Sequence, residues 1–241
     1  MNINDLEEKI RQSESMSLSA AFPILMRKVY LWMAMALAIS GLTAYSVAAS
    51  PGLVQLIYSS QLGIWAIIIA ELVLVWKISN SVAKENRSLA TTTLMFIIFS
   101  ALNGLTLSSI FVVFAPAAIV KTFVITAGTF GVMAAYGYFT SRDLTKIGGL
   151  LFMALIGVII ASVVNMFLHS SGLDLVVSII GVLVFVGLTA WDSQKIKMSL
   201  AMAPDLGETS QKLALTGALS LYLDFVNLFL YLLRFFGGSR D

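Results

Sequence analysis

Seven apolar runs, each about as long as a bilayer is thick, limit this chain more than any motif it carries. They cover Val29–Ala49, Leu62–Ser79, Leu89–Phe114, Ala117–Phe139, Ile147–Leu168, Leu175–Ile196 and Leu213–Phe236. A hydrocarbon core about 30 Å thick needs about 20 helical residues, whereas a barrel strand crosses it in about 10 with strict alternation. The length of the runs therefore selects helix. Composition agrees: 59% of the 241 residues are hydrophobic and 12% charged, against roughly 25% charged in an ordinary soluble domain. The expected fold is an all-α integral membrane protein. A single seven-helix membrane domain spans 28–237, with a polar cytosolic tail at 1–27 and a short C-terminal tail at 238–241.

The breaks between runs are short and polar, so successive spans are expected to be antiparallel neighbours. No internal repeat is evident, which disfavours an inverted-repeat transporter. No short apolar core of a cleavable signal precedes the first run. The first residues read as a frayed tail, although Ile3, Leu6 and Ile10 would share one face of a surface helix. Basic residues give the orientation. With the N-terminus cytoplasmic, the inner segments hold Lys9, Arg11, Arg27, Lys28, Lys77, Lys84, Arg87, Arg142, Lys146, Lys195, Lys197 and Lys212. The outer loops hold Lys121, and the C-terminal end holds Arg234 and Arg240. Seven crossings from a cytoplasmic N-terminus put the C-terminus outside. Small residues spaced by four, at Ala127, Gly131 and Ala135 and at Gly157 and Ala161, predict close helix packing.

Several chemistries are excluded. Cysteine is absent and His169 is the single histidine, so disulfides, thiolate metal centres and multi-histidine metal sites are not available. A net charge of +2 does not suggest a nucleic-acid partner. The chain has no Gly-x-Ser-x-Gly elbow and no phosphate-cradling glycine loop. Tyr222-Leu223-Asp224 lacks the glycines of an intramembrane aspartyl protease. The expectation is a protein without enzymatic activity, cofactor or resident metal.

The informative residues are carboxylates inside the spans, where an Asp at the bilayer centre costs about 2.5–3.5 kcal/mol. Asp224 lies about eleven residues into the seventh run, near the midplane. Asp192 lies toward the cytoplasmic end of the sixth, and Glu71 lies within the second. Burial disfavours the charged form of an acid, and two neighbouring acids titrate as a unit. Such a pair is a proton switch, and once deprotonated it offers oxygen ligands to a hard cation such as Ca²⁺. The bland alternatives are that Asn227 satisfies Asp224 and that Lys195, three residues on, neutralises Asp192. By these boundaries the two aspartates differ in depth by roughly 10 Å, so pairing them calls for tilt, a kink or a shifted span, with Gly187 a candidate bend. Asn103, beside Gly104, and Asn165 are further polar residues read at depth. Glu71, Arg234, Asn103 and Asn227 are candidate pathway or partner residues.

Three strings carry a specific resemblance. They are Ala101-Leu102-Asn103-Gly104-Leu105-Thr106-Leu107-Ser108-Ser109-Ile110-Phe111, then Gly187-Leu188-Thr189-Ala190-Trp191-Asp192-Ser193-Gln194-Lys195, and Ala218-Leu219-Ser220-Leu221-Tyr222-Leu223-Asp224-Phe225-Val226-Asn227-Leu228-Phe229. In these the sequence resembles bacterial members of the transmembrane Bax inhibitor motif (Bax inhibitor-1) family. The resemblance implies a seventh helix ringed by six others. It also implies a pH-sensitive Ca²⁺ leak in an inner membrane, gated by an Asp192–Asp224 dyad that binds the permeant ion transiently. Glu71 matches an acidic position of a calcium-leak homologue. An arginine latch on the second helix is implied too, but Trp76–Val82 carries only Lys77, with Lys84 and Arg87 beyond. The alternative implied by relatives is a non-conducting regulator that binds a membrane protease or another membrane partner, with the N-terminal tail as its handle. A bundle of this size can act as a monomer.

Overall fold

The computed structural model describes residues 3–84 and 87–237, with side chains described from residue 21 onward. The predicted tail at 238–241, with Arg240, and the side chains of Ile3, Leu6 and Ile10 lie outside the described residues. The chain forms α1 (Ile3–Ala48), α2 (Pro51–Tyr58), α3 (Gln61–Ser79), α4 (Leu89–Val113), α5 (Pro116–Phe139), α6 (Thr145–Leu168), α7 (Ser171–Ala201) and α8 (Glu208–Phe236). All but the short α2 are long and apolar enough to cross a membrane, giving seven spans.

Local chemistry sets the boundaries. Pro51 and Pro116 open α2 and α5, where a missing N–H costs nothing. The hydroxyls of Ser60, Ser88 and Ser170 cap the first turns of α3, α4 and α7. His169 ends α6 in the left-handed region (φ 50°). Asn165, read from sequence as a polar residue at depth, is part of this ending: its side-chain oxygen accepts the Ser170 N–H at 3.0 Å. The first helix departs from the predicted boundary. It runs unbroken from Ile3 through Pro23, and its packed portion begins at Ala21, Leu25 and Met26, which are buried.

Helix α8 packs on α1, α3, α4, α5 and α7, while α6 packs on α7. Leu215, Ala218, Leu221, Tyr222 and Leu228 of α8 are essentially inaccessible. Large apolar side chains such as Leu62, Leu72, Phe139 and Phe167 face outward instead, as lipid-facing positions should. Several buried hydroxyls return their hydrogens to their own helix. Ser100 donates to the Phe96 carbonyl, Thr126 to Thr122 and Thr189 to Phe185, a local way of satisfying a hydroxyl inside a helix, whereas the Ser81, Thr122 and Ser178 hydroxyls are buried with no partner.

Close approach uses different glycines from those expected. A Cβ on Gly131 or Gly157 would meet nothing within 4 Å. The tight contacts are at Gly104, where a Cβ would lie 2.7 Å from the Ser40 carbonyl oxygen of α1, and at Gly137, where it would run into the Ala190 carbonyl of α7. Spacing alone identified small residues but not the helix face on which a neighbour lies.

Many of the basic residues collect at one end of the bundle, and the loops there are laced together. Gln194 accepts the Leu144 N–H and donates to the Arg142 carbonyl. Lys28 donates to Gln211 at 2.7 Å, and Glu208 accepts from the Leu89 N–H and pairs with Lys212.

Candidate functional site

Two buried polar centres share α8. The first is the pair Asp192 and Asp224. The α7–α8 hairpin has a register in which Gly217 meets Ile196 and Gly181 meets Tyr231. That register sets Asp192 level with Ser220, so Asp224 is one turn farther from the basic end. Four residues correspond to about 6 Å along a helix, less than the 10 Å inferred from the run boundaries. Helical side chains lean toward their own N-terminus. In this antiparallel pair Asp192 therefore leans inward and Asp224 leans back toward it. The offset closes, and the two carboxyl groups meet within hydrogen-bonding reach. No bend is needed. Helix α7 is continuous through Gly187, whose missing Cβ instead admits Leu151 of α6.

The surroundings of the pair are one-sided. Asp192 lines a cleft of about 100 Å³ with Lys195, Ser199, Leu213, Thr216 and Ser220. Asp224 is only 5% exposed. One turn beyond each aspartate, Leu188 and Leu228 are buried, so the way onward is closed by apolar side chains. Among the described residues the ion pairs are Glu208–Lys212 and Asp174–Arg234, so neither aspartate has a cation in contact. Lys195 stands at the surface with its ammonium 5.0 Å from the Trp191 ring centre. Asn227 does not satisfy Asp224, because it donates to the Leu223 carbonyl of its own helix at 2.8 Å. Oδ2 of Asp224 is buried with no donor, the only carboxyl oxygen so placed among the described residues. Two carboxylates are both acceptors. The contact between them becomes a hydrogen bond only when one carries a proton.

The second centre is a chain of hydrogen bonds crossing four helices. Glu71 of α3 accepts from the Thr106 hydroxyl of α4 at 2.6 Å and lies in reach of Asn103. Asn103 accepts from the Tyr222 hydroxyl of α8 at 2.9 Å. Tyr222 lies 2.6 Å from the Ser40 hydroxyl of α1, which donates to the Ser100 carbonyl at 2.7 Å. Phe96 and Phe99 pack edge-on against the Tyr222 ring. Glu71 and Asn103 thus come together, but not at the aspartates. Tyr222 and Ser40 were not singled out from sequence. The available signal was a tyrosine hydroxyl in a leucine-rich span, which has to find a partner.

Arg234 is placed at neither centre. At the far end of α8 it pairs with Asp174 at 3.8 Å and lies over Tyr231. Among the described residues no cation near the second span pairs with Asp192: Arg87 donates to the Lys77 carbonyl and Lys84 lies over Trp76.

Comparison with known proteins agrees over nearly the whole chain. The profile of a family described as "Inhibitor of apoptosis-promoting Bax1" matches residues 23–241. The Escherichia coli inner membrane protein YbhL is 48% identical over 217 residues, covering 89% of this chain and 92% of that protein. A Borreliella burgdorferi protein is 46% identical over 214 residues, covering 89% and 91%. The Rickettsia prowazekii protein RP147 is 42% identical over 216 residues, covering 90% of each.

Proposed function

Taking the chain as a multi-pass membrane protein of the Bax inhibitor-1 family, we propose that it is a pH-sensitive cation leak, favouring Ca²⁺, gated by the proton shared between Asp192 and Asp224. It sits in a bacterial inner membrane with its N-terminus cytoplasmic. The observation that carries this reading is the buried Asp224 oxygen with no donor, facing a second carboxyl group. A shared proton supplies the missing hydrogen bond and holds α7 against α8. Its loss puts two negative charges in contact. At about 4 Å and an effective dielectric of about 20, two unit charges repel by about 4 kcal/mol, enough to compete with helix packing in a membrane.

Opening then has a defined direction. Protons exchange through the cleft at Asp192, so rising pH on the basic side withdraws the shared proton. The repelling carboxylates part the helices, loosening the Leu188 and Leu228 contacts, and their oxygens become transient ligands for a hard divalent ion. Acid restores the proton and closes the bundle. Reconstitution in liposomes with a Ca²⁺ indicator tests this: flux through the wild type should rise with pH. Flux that ignores pH, with orientation and incorporation controlled, would discard the gating mechanism.

A further inference from the structure

Helices α1 and α5 both rest on α8, but among the described residues they do not pack closely on each other. The seam between them is hollow. Toward the basic end it encloses about 540 Å³ between Met26, Arg27 and Tyr30 of α1 and Gly131, Ala135 and Tyr138 of α5. Farther along, a second hollow of about 100 Å³ reaches Phe123 of α5, with Phe225 and Phe229 of α8 as its floor. The lining of the larger hollow fits one class of ligand. Gly131 and Ala135 are exposed on its rim while Met26 and Ala134 are buried at its base, so it opens sideways, toward lipid. Its α5 wall runs from Phe130 to Phe139, about 14 Å of helix, which is one leaflet of a core about 30 Å thick.

The head of the seam carries positive charge. Arg27 is exposed there and has no carboxylate partner among the described residues. The Lys197 ammonium lies on the Tyr138 carbonyl at 2.6 Å and 5.3 Å from the centre of that ring. We propose that the seam is a slot for one acyl chain of an anionic phospholipid, whose phosphate is held by Arg27 with Lys197 beside it. An apolar slot one leaflet deep, topped by an unpaired guanidinium at the headgroup level, complements such a lipid in length, polarity and charge. A second copy of the chain fits less well, because a two-fold pairing about this seam sets one Arg27 against the other. The slot is separate from the aspartate pair, and the proposal does not depend on gating.

Native mass spectrometry of the purified full chain, released from detergent with phosphatidylglycerol or phosphatidylcholine added, tests it. The wild type should retain phosphatidylglycerol in about fivefold preference. Arg27→Gln should remove that preference, and Lys84→Gln, at the same end but away from the seam, should keep it. Gly131→Leu projects into open space, so the fold tolerates it, and it should reduce retention of both lipids. Equal retention of the two lipids by the wild type would overturn the proposal. So would a preference that survives Arg27→Gln, undiminished binding in Gly131→Leu, or a wild-type dimer that Gly131→Leu dissociates.

Discussion

The two polar centres on α8 are built from similar groups at similar depth, yet they are finished differently. Around Tyr222 every hydroxyl and amide oxygen on the path from Glu71 to Ser100 has a partner. Around Asp224 an oxygen is left without a donor. A satisfied network in a membrane is a clamp, fixing how α1, α3, α4 and α8 meet. An unmet carboxyl beside another carboxyl is a place where one proton decides the packing. Burying a polar group is common to both; incomplete satisfaction distinguishes the switch.

Substitutions can break that contrast. The largest effect is expected for Asp224→Asn. It keeps the shape, supplies a permanent donor to Asp192 and removes the titration, so pH-dependent Ca²⁺ flux should fall by at least about tenfold at alkaline pH, tenfold corresponding to about 1.4 kcal/mol of the lost repulsion. Flux and pH profile unchanged in liposomes would remove the aspartate pair as the gate. Next comes Tyr222→Phe, which takes the donor from the Asn103 side-chain oxygen while Ser40 keeps its bond to the Ser100 carbonyl, and should lower stability in detergent by about 1 kcal/mol. Its pH profile should stay where it was. A shifted profile would mean that the two centres act as one. Glu71→Gln should cost less, because Thr106 can still donate to the amide oxygen. Thermal unfolding should show a small drop, and a loss comparable to that of Tyr222→Phe would mark Glu71 as more than an acceptor. Arg234→Gln should do least, since its ion pair with Asp174 is half exposed and such pairs contribute about 0–1 kcal/mol. A large change in flux would place Arg234 on the pathway.

Much of this was legible in the sequence, for physical reasons. Span number follows from the length of the apolar runs, and Asp192, Asp224 and Glu71 stand out because charge is costly in lipid. What the sequence did not reveal concerns which face of a helix meets which neighbour. Asn165 lay in an apolar run and is a helix-ending acceptor. Gly131 had the spacing of a packing residue and faces a hollow. Arg234 looked like a partner for buried acids and meets Asp174 at the opposite end. The apparent depth gap between the aspartates closed because the hairpin register is set by Gly217 and Gly181 against large partners, and because antiparallel side chains lean toward each other. Register and lean belong to the helix pair, and no single run encodes them.

The central claim, one proton held between Asp192 and Asp224, is open to a direct observation. Infrared difference spectra of the protein in lipid, recorded across a pH titration, report the carbonyl stretch of a protonated carboxylic acid. The account predicts one such band in the wild type that fades as pH rises, over the same range in which Ca²⁺ flux appears, and that is missing from Asp224→Asn. A wild type with no protonated carboxyl at any pH where the bundle is closed, or a band that persists in Asp224→Asn, would contradict it.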